Sequence, residues 1–460
     1  MNSSAELPEL NPAQRLVPQL RKLLETSDRE GLAALVQSRA ISDALRGVLR
    51  LDPEERDRVL ALLPADIAAE LIDEAPSEIA ADLVERLQSE TAADIIDELD
   101  SDVQADVIGE LDAADAEAIL AEMDAEDAAD VRRLVVYEDE TAGGLMQAEA
   151  FTFRAGSTVQ DVLARVIAGE DEFERHRGQH PYVIDESGRP VGVVSLRGLL
   201  TARRSAALGD IMVTPLTVSV DTSLSELEDL FEMHPFLGLP VVEADGRLVG
   251  VVSRTAVSDA AREHLESDAM KLQGVVGDEL RSMPIFLRSR RRLAWLSTNI
   301  FLNILAATVI ASYEETLAAV IAIAFFLPMV SDMSGCSGNQ AVAVTMRELS
   351  LGLVRPIDVF RVWLKEVSVG VINGIVLGIL IGIVAWLWMD NVALGFVIGI
   401  ALAINTVIAV SIGGVVPLIV KRMGQDPAAA SGPLLTTITD IAGFFLVLSI
   451  ATVFMQDLVR

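Results

Sequence analysis

The longest charge-free apolar run of this chain covers 30 residues, Asn391–Val420. A membrane-spanning helix needs about 20 mostly apolar residues, so this run predicts a transmembrane span. Four further apolar runs have sufficient length: Leu293–Tyr313, Val367–Met389, Thr316–Met346 and Pro427–Gln456. A single carboxylate interrupts each of the last two, Asp332 in one and Asp440 in the other. We therefore predict a five-helix transmembrane domain.

The charges that flank these runs predict the orientation of the chain. With five spans, ten basic residues fall on one side of the membrane and only Arg460 on the other. The ten are Arg288, Arg290, Arg291, Arg292, Arg347, Arg355, Arg361, Lys365, Lys421 and Arg422. Lysine and arginine accumulate on the cytoplasmic side of membrane proteins. We therefore expect a cytoplasmic N-terminus and an external C-terminus.

The acidic residues are concentrated away from the apolar runs. The net charge of the chain is -32, but residues 291–460 hold 9 basic and 10 acidic residues, a net of -1. Residues 1–290, the acidic half, therefore carry 27 basic and 58 acidic residues, a net of -31. Such a field repels nucleic acid phosphates and attracts cations, so we expect no nucleic acid partner. The one cysteine, Cys336, excludes an intrachain disulfide and a cysteine-rich metal site.

A repeat of 12 residues runs through the first part of the acidic half. One aliphatic position recurs in six units: Leu71, Leu83, Ile95, Val107, Ile119 and Val131. Twelve residues accommodate one short helix and a turn, so the pattern predicts an α-helical solenoid in residues 1–140, whose units bury these positions against one another. The acidic residues then line its outer face, where most of them need only keep the surface solvated.

A second repeat has an offset of 58 residues. The segment Val183–Ser195 returns as Val241–Ser253, and each copy places a Gly-centred turn between two β-branched stretches. Flanking helical stretches complete a layout that resembles a tandem pair of CBS domains, an α+β fold, in residues 141–260. Nucleotide-binding members carry an Asp three residues past the Ser or Thr that ends the strand. Gly198 and Ala256 stand there in this chain, so we expect no tight nucleotide binding.

Two features within the apolar runs carry the candidate chemistry. Asp440 lies inside the fifth span, and ionisable residues at that depth are expensive and therefore functional candidates. Pro328–Gln340 is rich in small polar residues, which predicts a broken helix whose backbone lines an ion path. The structural alternatives are a neutral Asp440 bonded to a neighbouring helix, and a packing kink at Gly335 and Gly338.

Taken together, the order of parts resembles the MgtE family of magnesium transporters over nearly the whole chain. Three motifs carry the resemblance: Thr141–Met146 (Thr-Ala-Gly-Gly-Leu-Met), Gly335–Gln340 (Gly-Cys-Ser-Gly-Asn-Gln) and Asp426–Asp440, which opens Asp-Pro-Ala. We accordingly predict a multidomain membrane protein with an N domain (1–140), a CBS pair (141–260), a connecting helix (261–290) and a pore domain (291–460). The resemblance implies a homodimer in the cytoplasmic membrane, surrounded by lipid, that passes Mg²⁺ and is not an enzyme.

The resemblance also implies an ion pathway with Asp440 of both subunits at the pore axis. The expected pathway residues are Asp440, Gly335, Gly338, Asn339, Gln340, Thr436 and Thr437. Mg²⁺ gives up its water shell reluctantly, so a pore for this ion should contact the shell with oxygen atoms. No phosphate-binding loop is found, and the membrane potential suffices to drive the ion.

In that family, Mg²⁺ bridges carboxylates of the cytoplasmic domains and holds the pore closed. The candidate metal ligands here are Asp94, Asp97 and Asp102 on the solenoid, Asp221, Glu226 and Asp229 in the second CBS copy, Asp259, Glu263, Glu266 and Asp268 on the connecting helix, and Asp426 and Asp440 in the fifth run. Arg262, His264 and Lys271 interrupt the acidic connecting helix, so we expect weaker inhibition by Mg²⁺ than a fully acidic helix would give.

Cys336 and Asp332 depart from the family pattern and leave an alternative open. A soft thiol beside a carboxylate favours Co²⁺, Ni²⁺ or Zn²⁺, so the alternative is a transporter of these ions with weakened Mg²⁺ gating. An anion channel with CBS domains is disfavoured by Asp440, and a membrane enzyme by the lack of paired histidines in the apolar runs. A scaffold that responds to Mg²⁺ without transporting it is the remaining reading.

Overall fold

The structure is a computed structural model that describes residues 12–168, 180–275, 279 and 285–459. It forms two compact units, Met1–Glu263 and His264–Arg460, and each is described by itself.

Ten short helices open the first unit: α1 Pro12–Thr26, α2 Arg29–Gln37, α3 Ile41–Val48, α4 Pro53–Leu62, α5 Ala65–Asp73, α6 Ser77–Glu85, α7 Ser89–Ile96, α8 Ser101–Glu110, α9 Ala113–Leu120 and α10 Ala125–Leu134. From α5 onward each helix belongs to one unit of the 12-residue repeat. The aliphatic position named above is at most 2% exposed in all six units. Proline or aspartate precedes several of these helices, as Pro64, Pro76 and Asp112 do. The predicted helical solenoid is confirmed.

The second part of the first unit contains two small sheets. Its strands are β1 Met146–Gln147, β2 Thr152–Arg154, β3 Tyr182–Ile184, β4 Pro190–Val193, β5 Val218–Ser219, β6 Gly238–Val242 and β7 Leu248–Ser253. The sheet orders are β2-β3-β4 and β1-β7-β6-β5. In both copies a parallel pair (β2 with β3, β5 with β6) adjoins an antiparallel hairpin (β3 with β4, β6 with β7), which is the predicted α+β duplication. The hairpin turns need glycine, because Gly188 and Gly246 have φ of +77° and +82°.

Four helices pack around these sheets: α11 Val159–Ala168, α12 Leu196–Thr201, α13 Leu224–Met233 and α14 Arg254–Lys271. The hydroxyls of Ser195 and Ser253 accept hydrogen bonds from the backbone N–H groups of Gly198 and Ala256, at 3.1 and 3.0 Å. The two strand-ending serines thus cap the helices that follow them. Weak nucleotide binding at this pair stays a prediction.

The second unit is helical. Its elements are α15 Ile285–Ser312, α16 Glu314–Ala319, a 3₁₀ turn Ile321–Phe325, α17 Leu327–Ser350, α18 Val359–Met389, α19 Val392–Arg422, α20 Pro427–Val453 and α21 Met455–Leu458. Within the described part of the chain, five segments are long and apolar enough to cross a membrane: Ile285–Ser312, Ile321–Ser350, Val359–Met389, Val392–Arg422 and Ala430–Val453. The five-helix prediction is confirmed by these lengths and compositions.

The prediction of a broken helix at Pro328–Gln340 is wrong. Residues 327–350 form one continuous helix, and Pro328 lies in its first turn. The N–H groups of a first turn have no partner within the helix, so proline is tolerated there. Gly338 serves packing instead: a Cβ on it would lie 3.1 Å from the Ala409 carbonyl oxygen of α19. The small residue at position 338 thus lets α17 pack closely against α19 and does not break the helix.

Glycines bring the backbones of α18 and α19 into contact. A Cβ on Gly374 would lie 2.6 Å from the Ala403 carbonyl oxygen, and one on Gly378 would lie 2.5 Å from that of Gly399. A Cβ on Gly395 would meet the Gly382 carbonyl oxygen at 2.5 Å. Spaced small residues are the usual means by which membrane helices approach this closely. We call this set the glycine ladder.

Candidate functional site

A cavity of about 620 Å³ lies within the second unit, between α15, the 3₁₀ turn, α17 and α20. Its lining residues are Ile310, Ala324, Leu327, Pro328, Ser331, Asp332, Gly335, Cys336, Asn339, Thr436, Thr439, Asp440 and Phe444. None of these described residues is a lysine or an arginine, and two are carboxylates. The wall therefore offers oxygen atoms and negative charge at the depth of the membrane spans.

Two helix faces supply the polar part of the wall. On α17, Ser331, Asp332, Gly335, Cys336 and Asn339 follow a spacing of three and four residues, which places them along one side of the helix. On α20, the residues Thr436, Thr439, Asp440 and Phe444 follow the same rule. The sequence thus builds the cavity from two stripes that face one another.

Asp440 connects the two stripes. Its Oδ1 accepts a hydrogen bond from the hydroxyl of Ser331, which joins α20 to α17. The Asp440 side chain is half-buried, and the charge of Asp332 acts on it electrostatically. A carboxylate held in this way has a fixed position in the wall while it still faces the open volume.

Asn405 supports the backbone behind Asp440. This residue of α19 is fully buried, and its Nδ2 donates to the carbonyl oxygen of Thr439 at 3.1 Å. Gly443 permits the approach, since a Cβ there would lie 2.7 Å from the Asn405 Nδ2. Sequence reasoning missed both Asn405 and Ser331. The only signal for Asn405 was an amide within a charge-free apolar run.

The predicted pathway residues occupy different environments. Asp440, Gly335, Asn339 and Thr436 line the cavity, together with Thr439. Three others do not line it: Gly338 is buried in helix packing, Gln340 is exposed, and Thr437 donates its hydroxyl to the Pro433 carbonyl oxygen at 2.7 Å. The structure therefore brings together four of the seven residues of the predicted pathway.

Asp102 belongs to an acidic cluster in the first unit. Burial raises the pKa of Asp102 to about 7, with the Asp100 charge acting in the same direction. Burial, followed by the charges of Asp102, Asp139 and Glu263, raises the pKa of Asp106 to about 7. Asp106 keeps an exposed surface, where solvent screens its charge, whereas Asp102 is half-buried. The cluster brings two predicted ligands, Asp102 and Glu263, into one electrostatic environment.

Asp94 and Asp97 lie in a second group on the solenoid. Burial raises the pKa of Asp97, and the charges of Asp127, Asp124 and Asp94 add to the effect. The Oδ1 of Asp97 is buried without a hydrogen-bond partner among the described residues, while its Oδ2 accepts from the Asp124 N–H at 3.4 Å. Asp94 is exposed. The structure therefore places Asp97 partly inside the solenoid and Asp94 on its surface.

The predicted ligands of the second CBS copy, Asp221, Glu226 and Asp229, are exposed, and so is Asp259 of the predicted connecting helix. Glu226 has a structural role, because it forms a capping box at the start of α13 with Ser223. Such a reciprocal cap accounts for a Glu at this position without a metal.

Asp426 is paired with a lysine. Its Oδ2 lies 3.1 Å from the Nζ of Lys271, and its Oδ1 accepts from the Ala428 N–H at 2.8 Å at the start of α20. Asp268 lies 3.8 Å from His264, and Glu266 is exposed. Asp426 was predicted as a metal ligand, and in the structure it forms an ion pair with a basic side chain. Sequence reasoning treated Lys271 only as an interruption of the acidic run.

Comparisons with known proteins agree with this architecture. Family models match at residues 39–140 (MgtE intracellular N domain), 142–205 and 208–263 (CBS domain) and 327–450 (MgtE, divalent cation transporter). The magnesium transporter MgtE of Bacillus subtilis is 32% identical over 71% of this chain and 72% of its own length. That of Enterococcus faecalis is 30% identical over 71% and 72%, and that of Thermus thermophilus 32% over 71% and 73%.

One similar solved structure is the cytosolic domain of the Mg²⁺ channel MgtE in complex with ATP. It is 32% identical to this chain with a TM-score of 0.48, and the match covers 53% of this chain and 99% of the solved one.

Proposed function

The chain belongs to the MgtE family of divalent cation transporters, and from this premise we propose that it passes Mg²⁺ through the cytoplasmic membrane as a channel-like homodimer. The ten-to-one distribution of flanking basic residues supports a cytoplasmic N-terminus and an external C-terminus. Transport requires no covalent step, so the protein is not an enzyme in this proposal.

The cavity with Asp440 in its wall is the observation that carries the proposal. Six waters occupy about 180 Å³ in the liquid, so a volume of about 620 Å³ has room for an ion that keeps its shell. Carboxylate, amide and hydroxyl oxygens can accept hydrogen bonds from those waters, which suits an ion that dehydrates reluctantly. The lack of lysine and arginine among the described lining residues favours cations over anions.

The membrane potential provides the driving force in this proposal. Moving a divalent cation through 100 mV is worth about 4.6 kcal/mol. A transmembrane pathway with a negative wall is sufficient to use that energy, and the Asp440 of each copy would face the two-fold axis.

We further propose that intracellular Mg²⁺ closes the pathway by binding the acidic half. The Asp102 cluster supports this, because burial and then the neighbouring carboxylates raise the pKa values of Asp102 and Asp106 and so penalise their ionised forms, and a divalent cation relieves that penalty. An ion that binds one conformation better shifts the population toward it. Asp97, with one unpartnered buried oxygen, is the other candidate ligand on the solenoid.

The Asp426 site supports only weak gating. Lys271 already neutralises this carboxylate, so Mg²⁺ gains little by binding there. We therefore expect inhibition by Mg²⁺ to act mainly through the acidic half, and to require more Mg²⁺ than in a chain with a carboxylate at residue 271.

The test is a flux assay with the full chain in liposomes that contain a Mg²⁺-sensitive dye. Wild type should take up Mg²⁺, Asp440→Ala should reduce the rate to that of empty liposomes, and Asp457→Ala, which removes a carboxylate outside the spans, should keep the wild-type rate. Equal rates for wild type and Asp440→Ala would refute the proposed pathway and favour the scaffold reading.

The second candidate function is transport of softer divalent ions. It is favoured by one observation: Cys336 lines the same cavity as Asp440. If the thiol sets the preference, Cys336→Asn should lower Co²⁺, Ni²⁺ and Zn²⁺ flux relative to Mg²⁺. An unchanged selectivity order would remove this candidate and leave Mg²⁺ as the cargo.

A further inference from the structure

We infer that Asp332 is a second ion-binding carboxylate of the cavity, so that each copy of the chain presents a pair of acids, Asp332 and Asp440, to a hydrated divalent cation. The inference rests on the proposed function, since it assigns a role within the same pathway.

The position of Asp332 follows from the contact between the two stripes. The Ser331 hydroxyl bonds to the Asp440 carboxylate, which fixes the level at which α17 meets α20. Asp332 is the next residue and also lines the cavity, one turn before Cys336. Both acids line the same cavity, so they share one environment.

The surroundings of Asp332 and Asp440 favour a bound cation. Two carboxylates in a membrane span repel one another and are expensive unless water or a positive charge compensates them. The described residues of the cavity wall include no lysine or arginine, so compensation has to come from the contents of the cavity. Glu366 offers a contrast, because it is half-buried within α18 and does not line the cavity.

The charge count distinguishes this arrangement from a pathway with Asp440 alone. Two copies would present four carboxylates instead of two, twice the charge of one divalent ion. Removing one carboxylate about 6 Å from a divalent ion in water corresponds to roughly a tenfold loss in binding. Asp332 should therefore set how strongly the cavity attracts its ion, whereas Asp440 fixes where the ion sits.

Cys336 supplies a native probe for this inference. It is the only cysteine of the chain, it is exposed, and it lines the cavity beside Asp332. The full chain in detergent is treated with a cationic reagent (trimethylammonium-ethyl methanethiosulfonate) or an anionic one (sulfonatoethyl methanethiosulfonate). Each transfers a thioalkyl group to the thiolate as a disulfide and releases methanesulfinate. The readout is the ratio of the two modification rates, referred to the ratio on free glutathione.

In wild type, we expect the ratio of the cationic to the anionic modification rate to exceed the same ratio on free glutathione by about tenfold or more. Mg²⁺ should slow modification by the cationic reagent. Asp332→Asn should lower the ratio severalfold and raise the Mg²⁺ concentration for half-protection about tenfold. Glu366→Gln, which removes a carboxylate from a span but not from the cavity, should match wild type in both measurements.

Three results would overturn the inference. The first is a rate ratio in wild type equal to that on glutathione; this result needs no variant, so it stands even if Asp332→Asn fails to fold. A folded Asp332→Asn with unchanged ratio and protection also overturns the inference, as does a Glu366→Gln that loses as much as Asp332→Asn. The liposome assay separates this inference from the proposed function. If Asp440→Ala loses Mg²⁺ flux while Asp332→Asn keeps the wild-type rate ratio and Mg²⁺ protection, only the role of Asp332 is rejected.

Discussion

The Nδ2 of Asn405 donates a hydrogen bond to the carbonyl oxygen of Thr439 across 3.1 Å, one residue before Asp440. Both side chains are fully buried, and the Oδ1 of Asn405 has no hydrogen-bond partner among the described residues. A buried acceptor left without a partner costs about 1–3 kcal/mol, whereas hydrogen bonds between membrane helices average only about 0.6 kcal/mol. The fold alone thus gains nothing from this amide, and its effect is to hold the α20 backbone beside Asp440.

Asn405→Leu is expected to leave the melting temperature of the protein unchanged or slightly higher, because the unpartnered oxygen disappears. It should lower the rate of Mg²⁺ uptake severalfold, since the backbone beside Asp440 is no longer held. Thermal unfolding and liposome flux check the two parts. Asn303→Leu, at an exposed amide of α15, is the matched control and should change neither. A lower melting temperature with normal flux would mean that Asn405 only stabilises the fold.

Ser331→Ala removes the hydroxyl that bonds to the Asp440 carboxylate. A hydrogen bond to a charged group is worth about 1.5–3 kcal/mol, so the Mg²⁺ concentration for half-maximal uptake should rise by about tenfold or more. The maximal rate should change less, because Asp440 itself remains. Ser334→Ala is the control: its hydroxyl donates to the Val330 carbonyl oxygen of its own helix at 2.7 Å, away from the cavity wall. Equal effects of the two substitutions would contradict the role of Ser331.

The Asp102 cluster predicts a pH-dependent response to Mg²⁺. The pKa of Asp102 is about 7 in the folded chain against 3.8 for the ordinary group, so the folded state holds the extra proton between these values. This contribution favours folding at low pH and is lost as the pH rises through 7. Mg²⁺ needs the ionised carboxylates, so protons compete with it below pH 7.

Protease protection of the full chain by Mg²⁺ should therefore require several times more Mg²⁺ at pH 6 than at pH 8. Asp102→Asn should reduce this difference, and Asp66→Asn, at an exposed position of the solenoid, should keep it. The same Mg²⁺ requirement at both pH values in wild type would show that the cluster does not bind the ion.

The ion pair of Lys271 with Asp426 predicts that one substitution strengthens gating. Lys271→Glu would place two carboxylates together, which Mg²⁺ can bridge, so flux should be inhibited at lower internal Mg²⁺ than in wild type. Lys271→Gln only removes a partly exposed pair worth about 0.2–1 kcal/mol, and should change inhibition little. Flux measured at a series of internal Mg²⁺ concentrations separates the two. Identical inhibition curves for Lys271→Glu and Lys271→Gln would exclude Asp426 as a latent metal site.

Periodic features of the chain were predictable because burial follows a repeat. The helical stretches predicted beside the two copies of the 58-residue repeat are observed, among them Val159–Ala168 and Leu224–Met233. The prediction of a broken helix at Pro328 failed, since a sequence does not reveal whether a proline stands in the first turn of a helix or in its interior. This depends on where the preceding 3₁₀ turn ends, which tertiary packing decides.

The support of Asp440 was beyond sequence reasoning for a different reason. Ser331 is separated from Asp440 by 109 positions and Asn405 from Thr439 by 34, so neither pair leaves a periodic signal. Lys271 was visible as a basic residue, but its pairing with Asp426 required the packed unit. Asp440 itself was identifiable, because a lone carboxylate in an apolar run is conspicuous.

The glycine ladder limits how this membrane unit can deform. With Gly378 and Gly399 each set against the other's carbonyl oxygen, neither helix can slide past or roll on the other without forcing backbone into backbone. Helices α18 and α19 therefore move as one rigid pair. The cavity is lined by α15, the 3₁₀ turn, α17 and α20, so a change in its width has to come from these elements and not from movement between α18 and α19. Ile310 is the sole described contribution of α15 to the wall, and this helix contains no glycine that would interlock it with a neighbour in the same way.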